Sequence, residues 1–73
     1  MHIGRLIKQK MEEQHHTVVW LAHQLSYSRT NIYKIYEKKS IDTDLLLRIS
    51  AILNYDFFVA YSEILDFPGD CPR

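Results

Sequence analysis

Within about two helical turns, the segment Ser28-Arg29-Thr30-Asn31-Ile32-Tyr33-Lys34 gathers a guanidinium, an ammonium, a carboxamide, hydroxyls and a phenol. These are groups that bond a polyanion or the polar edge of a planar ligand. The other reactive side chains form no comparable set. Four histidines, His2, His15, His16 and His23, raise the question of a metal. His15 and His16 are adjacent, so their side chains diverge. His16 and His23 lie across a helix start with no third ligand at a fixed spacing, and no H-X-X-X-H pair occurs. No metal site and no cofactor are expected. Ser28 has no histidine and aspartate at an interpretable spacing, and there is no glycine-rich phosphate loop. Asp42-X-Asp44 reads as a helix start, where the backbone dipole favours acids. The chain is therefore expected not to be an enzyme.

The elements that position these groups follow from the apolar spacing. Ile3, Leu6, Ile7 and Met11 form one stripe and predict a helix over about 2–14, ended by His15-His16. Thr17 is a good N-cap for a second helix, 18–25, with Val18, Leu21, Ala22 and Leu25 on one face. After the break Ser26-Tyr27-Ser28, Ser28 caps a third helix, 29–37, with Ile32, Ile35 and Tyr36 inward. Lys38-Lys39-Ser40 is a loop. Asp42 opens a fourth helix, 43–53, whose stripe is Leu46, Ile49 and Leu53 with Leu45 and Ile52 beside it. Asn54-Tyr55-Asp56 breaks the chain again. Asp56 caps a fifth helix, 57–65, with Phe57, Tyr61, Ile64 and Leu65 inward. The expectation is an all-α fold of five short helices over residues 1–66. A flexible C-terminal tail, 67–73, carries Pro68, Gly69 and Pro72.

Two helices as short as 18–25 and 29–37, joined by so tight a turn, must cross at a large angle. Leu21, Leu25, Tyr27, Ile32 and Ile35 are the residues that hold it, with Ala22 at the close approach. The first helix then braces and the second projects an exposed face. At this point the sequence resembles the Cro/repressor-type (XRE) helix-turn-helix family. The matching residues are Leu21-Ala22-X-X-Leu25, the cap and basic start Ser28-Arg29, and Ile32-X-X-Ile35. Downstream, Asp42 to Leu53 looks like the family's fourth helix. The resemblance covers about residues 3–65 and implies a compact lambda-repressor-like domain. Ser26 stands where the family usually has glycine, and a serine held at positive φ costs roughly 1 kcal/mol. Val18 replaces the glutamine that often opens the family's second helix. Tyr36 and Lys38 replace the acid and glycine after its third.

The resemblance implies that helix 29–37 enters the major groove of double-stranded DNA. Carried over by position, Arg29, Thr30, Asn31, Tyr33 and Lys34 read bases. Arg29 suits guanine, Asn31 suits adenine, and Thr30 suits a thymine methyl or a phosphate. Thr17, Ser28, Lys38, Lys39 and Ser40 flank that helix and suit phosphate contacts, aided by the amides that open the second and third helices.

At 73 residues the chain has room for one domain and little for a walled catalytic pocket as well. Its apolar fraction of 47% is that of a folded protein. The net charge of zero hides an asymmetry: residues 1–40 carry seven basic against three acidic groups, and residues 41–73 two against six. A basic half can still present a positive face to a polyanion. One cysteine, Cys71, cannot form an internal disulfide. There is no signal-peptide pattern and no membrane-length apolar run. The cytoplasm of a bacterium or phage-infected cell is the expected location.

Val19 and Trp20 fall off the main stripe of the second helix. Either they extend the core toward the first helix or they form an outer patch. Tyr55, Phe58 and Val59 likewise exceed what one buried face needs, which predicts a homodimer through the fourth and fifth helices. The function expected is that of a sequence-specific regulator of transcription, of repressor type. The alternative is a helix-turn-helix-derived protein-interaction module, antitoxin-like or partner to a regulator, docking through Trp20 and helix 57–65.

Overall fold

Every helix among the described residues starts on a side chain that accepts a hydrogen bond from its own first turn. In the computed structural model, which describes residues 1–65, these helices are α1 (Ile3–Glu13), α2 (Val18–Leu25), α3 (Arg29–Glu37), α4 (Thr43–Leu53) and α5 (Phe57–Ile64). Thr17 Oγ1 accepts from Trp20 N (3.0 Å), Ser28 Oγ from Asn31 N (3.2 Å) and Asp42 Oδ1 from Leu45 N (2.7 Å). Asp56 Oδ1 accepts from both Phe58 N and Val59 N. These four are the caps expected from the sequence. The fifth is His2, whose Nδ1 accepts from Arg5 N at 3.2 Å. Each cap satisfies an amide that the helix itself leaves orphaned. There are no strands among the described residues, and the fold is all-α.

Three helices end in the left-handed region without a glycine: α1 at His15 (φ 60°), α2 at Ser26 (φ 58°) and α4 at Asn54 (φ 51°). The closing bonds are those of a Schellman end. His16 N donates to Met11 O, Tyr27 N to Ala22 O and Tyr55 N to Ser50 O. The positive φ expected of Ser26 is present. Asparagine tolerates this backbone better than serine does.

The core is one cluster. Ile3, Ile7, Leu21, Ile32, Ile49 and Phe57 are fully inaccessible to solvent. α1 and α2 both pack on α3, α2 also meets α4, and α4 carries α5. No polar or charged residue among those described is buried. Two polar ties fix the frame. Gln14 Nε2 donates to Leu53 O (2.9 Å), joining the ends of α1 and α4. Arg48 Nη2 donates to Leu25 O (3.3 Å), capping the carbonyl end of α2.

The first helix is shorter by one residue at each end than the periodicity predicts, because His2 and Gln14 serve as its caps. Tyr36 is only half-buried. The expectation that Ile64 and Leu65 point inward is corrected: they are 56% and 54% exposed. In α5 Phe57 is buried and Phe58 and Tyr61 pack partly buried against the core, while Ile64 at its end and Leu65 after it are left uncovered. The tail 67–73 lies outside the described residues.

Candidate nucleic-acid interface

The third helix is positioned from three sides. Ile32 and Ile35 bury its inner face against α1 and α2. Its start is held by Ser28, which caps it two residues after the left-handed turn at Ser26. Its exit is held by α1. Ile3 N donates to Lys39 O (3.1 Å) and Gly4 N to Lys38 O (2.9 Å), so two orphan amides of α1 are satisfied by the loop that leaves α3. This approach requires a glycine. A Cβ on Gly4 would sit 2.6 Å from the Tyr36 carbonyl carbon and closer still to the carbonyl oxygens of Ile35 and Tyr36. Lys38 leaves the helix in an extended conformation (φ −81°, ψ 132°), so the exit needs no glycine of its own.

Held this way, α3 turns its remaining faces to solvent. Arg29, Thr30, Asn31, Tyr33 and Lys34 are all exposed, Tyr33 by 56%. At 100° per residue, Thr30, Tyr33 and Lys34 share the outer face, with Arg29 and Asn31 on its two edges. Glu37 joins that face at its far end. The cationic part of the face is therefore its first turn and a half. α3 has nine residues and is about 13 Å long. An α-helix with its side chains is about 10–12 Å across, and the major groove is about 12 Å wide.

Thr17, Ser28, Lys38, Lys39 and Ser40 are exposed as well. Ser28 stands at the start of α3, and the other cluster, Lys38-Lys39-Ser40, stands at its exit. Thr17 opens α2. The oxygens of Thr17 and Ser28 accept cap bonds, and their hydroxyl protons remain free to be donated. Among the described residues only Lys10 enters a salt bridge, with Glu13 at 3.1 Å, and it also lies 4.4 Å from the centre of the Tyr55 ring. Hydrogen bonds from Gln9 and Lys10 hold the Glu13 carboxyl below its ordinary range. Lys10 is thus engaged away from α3.

Two depressions border the exposed helix. The larger, of about 470 Å³, is an open crease between α2 and the start of α3, lined by Val19, Ala22, His23, Ser26, Tyr27 and Arg29. The smaller, of about 170 Å³, runs between α1 and α3 past Lys8, Glu12, His16, Tyr33 and Tyr36. Burial pushes the Tyr36 phenol above its ordinary value, with the nearby Glu12 and Tyr33 adding to the effect.

The two residues left open by the sequence part company here. Val19 is 46% exposed in the crease. Trp20 is half-buried, and its indole stacks flat on the His16 ring, with centroids 3.6 Å apart and planes 4° off parallel. Among the described residues no three histidine, cysteine, aspartate or glutamate side chains come together as metal ligands would. No helix among them is long and apolar enough to cross a membrane.

Sequence reasoning missed the residues that aim α3 rather than those it displays. Gly4 and Arg48 both act through backbone carbonyls of other elements. An isolated glycine inside a helical pattern is the one signal that pointed to such a contact. No protein-family model matches the chain, and neither a curated protein nor a solved structure shows significant similarity to it.

Proposed function

We propose that this protein is a sequence-specific double-stranded-DNA-binding regulator of the Cro/repressor helix-turn-helix type, acting as a repressor in the cytoplasm. One observation carries the reading. A short helix braced by two others presents Arg29, Thr30, Asn31, Tyr33 and Lys34 together to solvent, without an acidic partner among the described residues. Arg29 and Asn31 read purine edges bidentately, and Thr30, Tyr33 and Lys34 contact neighbouring bases or sugar. Thr17, Ser28, Lys38, Lys39 and Ser40 fix register on the phosphates. A single module of this size buries little DNA, so a second copy doubles the contacts. Leu47, Val59, Ile64 and Leu65, each about half exposed or more, supply an apolar surface for that homodimer on α4 and α5.

Selection of bound duplexes from a random library tests this. An enriched palindrome is expected, with affinity falling steeply as salt rises. Arg29→Ala should cost about 1–3 kcal/mol at one base position and relax preference there. Lack of retention by any duplex at low salt would overturn the reading. The exposed apolar side chains at Val59 and Ile64 of α5 favour a second reading, a protein-interaction module docking through Trp20 and helix 57–65. That reading predicts no salt-dependent duplex binding and loss of a protein partner in Trp20→Ala.

A further inference from the structure

We propose that His23 is a titratable phosphate contact of this surface, so that duplex affinity increases as pH falls from about 8 to about 6. The inference rests on the duplex-binding reading and adds to it a residue outside the third helix. His23 lies in the last turn of α2, exposed, one helical turn after Val19 and on the same side. That side lines the crease whose opposite wall is Arg29. A backbone following the start of α3 passes over this crease, because Arg29, the first residue of that helix, lines it.

The other three histidines are placed differently. His2 is engaged as the cap of α1, His16 is stacked on Trp20, and His15 forms the left-handed end of α1. His16 also borders a base-reading candidate, Tyr33, but in the smaller depression, beside Glu12 and held by its stack on Trp20; His23 lines the crease with Arg29. The ionisable groups near it are Tyr27 from the turn and Arg29 from α3, while Arg48 of α4 bonds the carbonyl of Leu25 close by. No carboxylate lines the crease. Among the described residues that line the crease an imidazolium meets no carboxylate, and a phosphate lying there supplies a counter-ion. Binding and protonation are then linked: the duplex favours the charged ring, and the charged ring favours the duplex. Imidazole is the side chain whose charge ordinarily changes between pH 5 and 8, which sets the pH range of the test.

The experiment measures Kd for the selected duplex at about pH 6 and about pH 8 across a salt series. Affinity is expected to rise about three- to tenfold at the lower pH, and the salt slope to steepen by about one contact. His23→Gln should bind as the parent does at pH 8 and lose the gain at pH 6. His23→Lys should bind tightly at both. His15→Gln and His16→Gln should keep the parent's pH response. His23 is exposed, and a matching thermal melt checks that the variants fold. A pH response that survives in His23→Gln, or an absence of any response in the parent, overturns the inference and leaves the duplex-binding reading standing. Failure to bind any duplex at either pH overturns that reading, and the inference with it.

Discussion

Replacing Gly4 with alanine tests the joint that aims the third helix. Helix propensity alone says that the change stabilises, by at most about 1 kcal/mol. The packing says the opposite. The new Cβ would meet the backbone carbonyls of Ile35 and Tyr36 under 3.0 Å, a separation real Cβ atoms essentially never show. Backbone cannot swing aside as a side-chain tip can, so the first turn of α1 must lift away. Lifting it breaks the bonds from Ile3 N to Lys39 O and from Gly4 N to Lys38 O. Two such bonds are worth about 1 kcal/mol each, and overpacking costs about 1–3 kcal/mol more. Less the propensity gain, the net loss is about 3 kcal/mol. For a domain of this size that lowers Tm by about 12–24 °C, which a thermal melt followed by circular dichroism reads directly. A Gly4→Ala variant that melts at or above the parent would refute the close approach and the role assigned to α1 as the strut of α3.

Ser26→Gly should stabilise by about 0.5–1 kcal/mol, since glycine adopts φ 58° without the clash serine suffers; a melting point unchanged or lowered would count against that backbone. Asn54→Gly should gain less, because asparagine already tolerates the left-handed region. Arg48→Gln should cost about 0.5–1 kcal/mol in denaturant unfolding by uncapping the Leu25 carbonyl, with no change in the midpoint counting against the tie. At alkaline pH, the Tyr36 phenol ionises later in the folded chain than in the unfolded one, because burial raises it above 10.0. The unfolded state therefore loses its proton first, and the stability this group contributes below that value declines as pH rises through it. Tyr36→Phe should flatten that decline in denaturant midpoints measured between about pH 9 and about pH 11.

The helices were legible because their signals are local. Period-3.6 stripes, and Thr17, Ser28, Asp42 and Asp56 placed just ahead of them, specify where each helix starts whatever the helices later touch. The exposure of Arg29, Thr30, Asn31, Tyr33 and Lys34 followed in the same way. Once Ile32 and Ile35 are buried, a helix of this period has to turn these side chains outward. Ile64 and Leu65 show where periodicity stops informing: an apolar stripe is buried only if an element covers it, and among the described residues none covers these two.

What the amino-acid order determined by itself was therefore the set of helices, their caps, and which side of α3 carries the polar groups. Tertiary structure alone decided what holds that side in place: the seating of Gly4 on the carbonyls of Ile35 and Tyr36, the bond from Arg48 to Leu25, and the crease that puts His23 opposite Arg29. Caps and stripes act over three or four residues and are written in neighbouring letters. Contacts between a side chain and a distant backbone carbonyl depend on how helices cross, and the carbonyl's own residue type leaves no mark of them.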